Sequence, residues 1–281
     1  MIALTDLGLA QYLGFAGGLY PEGKNTPPAS YQEAGSVLGA TVQPLGHDGE
    51  ASAAGKTVMA CIGMSNASRQ FSRFVESAAA DSQTNSSLVM VNAAQDGVDA
   101  LSLAKADGSY WRYVDRQLQN GGVTPAQVQV VWLKTALAYH RGGFPNSARV
   151  LQEALRTVVD IIKTRFPQLK QIYVSSRSFG GYSQTGLSPE PIAYESGFAV
   201  KWLVEEQIRD FRSESSMPWV AWGPYLWADG VTPRSDGLSW ERSDYETDGV
   251  HPSAAGSMKV ASALLEFFQR NTASRPWFCQ H

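Results

Sequence analysis

The chain has 281 residues, 43% of them hydrophobic and 17% charged, with a formal net charge of −3. That length accommodates one large α/β domain, and that balance excludes a disordered chain. Lys and Arg are scattered with no basic stripe, which argues against nucleic acid as a partner, and no apolar run approaches the ~20 residues of a membrane-spanning helix. The two cysteines, Cys61 and Cys279, make neither a disulfide framework nor a metal-ligand pattern. The start, Met1-Ile-Ala-Leu-Thr-Asp6, lacks the charged segment and apolar stretch of a signal peptide. A secreted or periplasmic chain whose leader had been removed would look the same, so the compartment stays open, as does the oligomeric state.

Residues 1–55, rich in Gly, Pro, Ala and Asn, read as an irregular segment packed on the domain, with one short helix near Tyr31–Leu38. Residues 56–281 form the domain itself. There, short apolar runs alternate with longer stretches of helical period, the pattern of a parallel sheet covered by helices. The runs Thr57–Gly63, Leu88–Asn92, Val128–Leu133, Gln171–Ser175 and Trp219–Trp222 are the predicted strands. Helices are predicted over 66–80, 110–120, 192–211 and 253–270. Another is centred on Val150–Ile162 and ends at Phe166, before Pro167. Five strands with intervening helices give a three-layer α/β/α sandwich.

In open parallel sheets the ligand crevice lies beyond the carboxyl ends of the strands. Ser65, directly after the first strand and at a helix start, has its hydroxyl where unpaired N–H groups favour developing negative charge. It also fits a plain N-cap. In Asp248-Gly-Val-His251-Pro252 the carboxylate can accept the second N–H of the imidazole and fix its tautomer, as a general base requires. Pro252 suits the first position of the following helix. A loop histidine beside a capping aspartate is the simpler alternative. His281 is terminal and His47 lies in the lead-in, which leaves His140 as the one rival on a strand-end loop.

Gly63-Met64-Ser65-Asn66 and Asp248-x-x-His251 resemble the first and last blocks of the SGNH/GDSL hydrolases, with Met64 in place of the usual Asp. Asn92-Ala-Ala-Gln-Asp-Gly97 resembles the second block. The likeness spans about residues 56–270. It implies a flavodoxin-like fold and metal-free, cofactor-free ester hydrolysis by Ser65, His251 and Asp248, with the N–H groups of Ser65 and Gly97 binding the oxyanion. The third block departs, because Trp132-Leu-Lys134-Thr-Ala136 has no Asn. Some carbohydrate-esterase branches carry Trp-x-Gln there. Lys134 falls where that Gln stands, and is either the missing donor or a solvated strand-end residue.

Around this centre, Asn66 and Gln95 are candidates for hydrogen bonds to the acyl group. Arg177 could bind a carboxylate or sugar hydroxyls, or brace loops by pairing with Asp96 or Asp248. Trp222, Tyr225 and Trp227 could stack on a sugar ring or fill the core, and Tyr20 could reach the same cleft. The expected activity is hydrolysis of short, acetyl-like esters, small or polysaccharide-borne. A non-catalytic carbohydrate-binding protein on the same fold and a longer-chain lipase or thioesterase are the alternatives. The G-x-S-x-G elbow, the H-E-x-x-H zinc motif and a Gly-rich nucleotide loop are all absent from the sequence.

Overall fold

The computed structural model describes residues 1–211 and 218–280; His281 lies outside them. Strands β1 (Thr57–Gly63), β2 (Leu88–Asn92), β3 (Val128–Lys134), β4 (Gln171–Val174) and β5 (Trp219–Trp222) form one parallel sheet. Their order, β2-β1-β3-β4-β5, is the flavodoxin-like one. Every residue of β1 and β3 is buried, because these central strands have helices on both faces, and so their sequences read as unbroken apolar runs.

Six helices of more than two turns are described: α1 (Ala29–Ala40), α2 (Ser65–Ala80), α3 (Ser109–Asn120), α4 (Asn146–Arg165), α5 (Ile192–Asp210) and α6 (Ala254–Arg270). Side-chain alternation divides the core between the two faces. Ala60, Ile62, Val131 and Leu133 pack with Trp111 of α3, Leu155 and Ile162 of α4 and Phe198 of α5. Met59, Cys61, Val130 and Trp132 pack with Phe71 and Phe74 of α2 and with Leu264 and Phe268 of α6. Full burial of Leu155 or Ile162 contributes roughly 1.5–3 kcal/mol each. Among the described residues no helix is long and apolar enough to cross a membrane.

The N-terminal segment closes the β5 edge. Tyr31 of α1 donates its hydroxyl proton to the Val220 carbonyl at 2.8 Å, and that hydroxyl accepts from the Val220 N–H at 3.3 Å. An edge strand that would otherwise present bare backbone groups is thereby covered. Further along, Leu4, Leu19 and Tyr20 join the α3/α4/α5 core.

Candidate active site

Met64, extended at φ −94° and ψ −179°, occupies the N-cap of α2, and Ser65 is the first helical residue. Ser65 is therefore not the cap. Its N–H has no intrahelical acceptor at this position. Gly63 is required just upstream, since a Cβ there would lie 2.2 Å from the Lys134 carbonyl oxygen. This close approach sets the end of β1 against the end of β3.

His251 arrives from the opposite side on a tight turn. One oxygen of Asp248, Oδ1, accepts from the N–H groups of Val250 (2.9 Å) and His251 (3.0 Å). The other, Oδ2, lies 2.5 Å from His251 Nδ1, and His251 Nε2 lies 2.9 Å from Ser65 Oγ. Gly249 makes the turn possible: its φ is +68°, and a Cβ would meet the Tyr182 carbonyl oxygen at 1.8 Å. Arg242 holds the incoming loop by donating to the carbonyls of Tyr245, Glu246 and Thr247. Pro252 precedes the cap and so stands two positions before the first helical residue, Ala254, because Ser253 caps α6 by accepting from Gly256 N–H at 3.3 Å.

Burial pushes the Asp248 carboxyl up, but the hydrogen bond with His251, helped by the two backbone N–H groups, outweighs it and brings the carboxyl down to about 2. An ionised carboxylate on Nδ1 leaves Nε2 as the acceptor for the Ser65 proton. His140 lies elsewhere, with its Nε2 3.9 Å from Glu195.

Ser65 and His251 open on a cleft of about 330 Å³. Gly97 lines it at φ +75°, and its N–H has no acceptor among the described residues. The segment bearing Gly97 is tied to β1 by bonds from Ala93 N to Cys61 O and from Gln95 N to Gly63 O, each 3.0 Å. Tyr110 adds a brace that sequence reading missed, for nothing marks it beyond a helix-start aromatic. Its hydroxyl accepts from Gly63 N–H at 2.9 Å and donates to the Ala93 carbonyl at 3.0 Å. Leu137 and Leu187 form apolar wall, and Asp99 lines the cleft with its carboxylate accepting from Ser102 and Ala138. These wall residues carry no motif.

Four expectations change. Lys134 neither lines the cleft nor meets solvent: its Nζ donates to Gln70 Oε1 of α2 at 2.7 Å, fully buried. Desolvation, reinforced by the Arg177 charge, holds its amine well below the usual lysine range. The cause is strand parity, since Lys134 shares the face of Val130 and Trp132, beneath α2. Gln95 also stays out of the cleft lining; its backbone does the work. Trp222 and Tyr225 are core residues: Trp222 Nε1 donates to the Leu19 carbonyl at 2.7 Å, and the Tyr225 hydroxyl accepts from Leu4 N–H at 3.3 Å. Trp227 and Tyr20 are buried likewise, so none of the four offers a face for a sugar. Arg177 does not brace the loops, for its guanidinium pairs with neither Asp96 nor Asp248. Asn66 does line the cleft, but its Nδ2 is committed to the Val250 carbonyl at 3.0 Å, leaving Oδ1 buried without a partner.

No family model and no curated protein matches the chain. Among solved structures it is similar to the periplasmic domain of a lipopolysaccharide acetyltransferase from Salmonella ser. Paratyphi A, at 14% identity over 83% of this chain and 94% of that one, with a TM-score of 0.43. It is also similar to a member of the lipolytic protein G-D-S-L family from Veillonella parvula, at 14% identity over 76% and 98% of the two chains, TM-score 0.38. A third, from Parabacteroides merdae and named for its likeness to GDSL lipases, shares 14% identity over 74% and 94%, TM-score 0.43. What the site can do follows from its own residues.

Proposed function

We propose that the chain is a serine esterase of the SGNH/GDSL type that acts on short acyl esters through an acyl-enzyme on Ser65. The observation that carries this reading is the unbroken chain from Asp248 through His251 to Ser65, 2.5 and 2.9 Å, at the rim of a cleft. His251 Nε2 takes the Ser65 proton as Oγ attacks the ester carbonyl carbon. The tetrahedral oxyanion is held by the N–H groups of Ser65 and Gly97, where one such donor is worth ~3–4 kcal/mol. His251 then gives its proton to the departing alcohol. A water molecule, deprotonated by the same imidazole, attacks the acyl carbon; the bond to Ser65 Oγ breaks, Oγ takes its proton back from His251, and the acid is released. The modest cleft supports a short acyl group, while the burial of the aromatic residues removes the support for a sugar-stacking platform.

The test is hydrolysis of p-nitrophenyl acetate by wild type and by Ser65→Ala, with mass spectrometry after a fluorophosphonate. Turnover should fall by ~10³-fold or more in the variant, and the adduct should map to Ser65 in wild type. Equal rates in the two proteins, or an adduct elsewhere, would remove the esterase reading.

A further inference from the structure

Arg177 follows β4 by three residues and lines the cleft, yet is only 3% exposed. Its backbone is fixed, the N–H donating to Ser196 Oγ of α5 at 3.1 Å. Its guanidinium is not satisfied. Nη1 meets only the Met64 sulfur, at 3.8 Å, and Nε is buried with no partner. A thioether is a weak acceptor, so five donors are left with nothing stronger among the described residues. Tyr245, Glu190 and Asp248 act on it through space alone.

The contrast with Arg234 is informative. That side chain is also largely buried, but it pairs with Asp236 and donates to the carbonyls of Tyr225 and Trp227. A buried cation with no counter-charge in bonding contact is a cost to the folded state, as the strong destabilisation on removing one partner of a buried pair shows. An arrangement that keeps one facing a cleft is completed by an anion from outside the protein. Asp99, the carboxylate that lines the same cleft, is engaged by Ser102 and Ala138 and does not serve.

We propose that Arg177 determines specificity, and that the ester this site selects carries a carboxylate within a few bonds of the scissile carbonyl. The inference rests on the esterase reading above. A planar guanidinium matches a carboxylate with two parallel hydrogen bonds. Its contact with Met64, the residue before Ser65, puts that carboxylate beside the reacting centre.

Two matched pairs of small esters test it. Monoethyl succinate and ethyl levulinate differ by a carboxylate against an acetyl group on the acyl side. Acetoxyacetate and acetoxyacetone differ in the same way on the alcohol side. In at least one pair wild type should favour the anion in kcat/KM. Arg177→Met should lower that anion-to-neutral ratio by about 30-fold or more, with Arg177→Lys in between. The melting temperature of Arg177→Met should rise, since a buried charge with no bonded counter-charge is gone. A preference for the neutral ester in both pairs, or a ratio unchanged within about threefold in Arg177→Met, would overturn the proposal. If wild type hydrolyses none of the four, p-nitrophenyl acetate shows separately whether the esterase reading has failed. Thermal shift with succinate then decides: stabilisation of wild type but not of Arg177→Met supports the anion site, and no stabilisation of wild type overturns it.

Discussion

Asn66 joins the nucleophile's helix to the histidine's loop, and Asn66→Ala measures what that link is worth. The side chain is 1% exposed, and its Nδ2 donates to the carbonyl of Val250, itself buried and one residue from His251. Truncation removes one hydrogen bond and strands that carbonyl away from water, which together cost about 2 kcal/mol. For a chain of this size that corresponds to a melting point lower by roughly 4 °C. The loop keeps other ties, from Glu246 N to His251 O at 2.8 Å and from Gln184 N to Asp248 O at 3.0 Å, so it stays folded while the imidazole drifts. A displacement on the order of 1 Å at a reacting group costs up to ~10²-fold. The expected outcome with p-nitrophenyl acetate is therefore kcat reduced about 10- to 100-fold with KM nearly unchanged. Asn66→Asp should be worse, because a carboxylate would face the carbonyl oxygen. A melting point that drops as expected beside a kcat within twofold of wild type would refute the reasoning: the Asp248 turn alone would then hold His251.

Gly249→Ala should lose most activity and fold poorly, since it combines φ +68° with a Cβ at 1.8 Å from the Tyr182 carbonyl; circular dichroism and ester assay would check both. Lys134→Met should leave turnover within about twofold, against the ~10²-fold loss expected of a true oxyanion donor. Because burial lowers the Lys134 amine, the folded state binds fewer protons than the unfolded one above that lowered value, so wild type should gain stability over Lys134→Met as the pH rises towards about 10. The Asp248 carboxyl, at about 2 against 3.8 unperturbed, binds protons more weakly when folded. Its stabilisation is present above 3.8 and is lost as pH falls through about 2. Denaturant melts of wild type and Asp248→Asn should converge across that acid window.

The five strands were legible because each is a short apolar run bounded by turn residues, and both central strands are buried on two faces. Ser65 and the Asp248–His251 turn were legible for a topological reason. Few residues of the right chemistry sit just past a strand end, and the spacing of three lets one carboxylate oxygen cap the turn while the other reaches the ring. That Ser65 is the first helical residue and not the cap was not legible, as it depends on a single extended residue, Met64, which no propensity marks.

Where reading by position went astray, side-chain direction decided the matter. Lys134 stands at the right place along the chain to replace a missing donor, but β3 alternates, and the residue points with Val130 and Trp132 beneath α2 rather than over the sheet edge. The aromatic residues after β5 could serve a sugar only if one face stayed open. Instead their polar tips satisfy buried backbone groups, Trp222 at Leu19 and Tyr225 at Leu4, which fixes them as the docking points of residues 1–55. Arg177 is the converse case: a ligand contact and a loop brace were both open to it, and with no bonded carboxylate partner among the described residues it is the strongest unsatisfied donor on the cleft wall. Sequence spacing locates a residue at a rim. Whether its side chain is spent on the fold or held for a ligand is settled by which polar atoms around it already have partners.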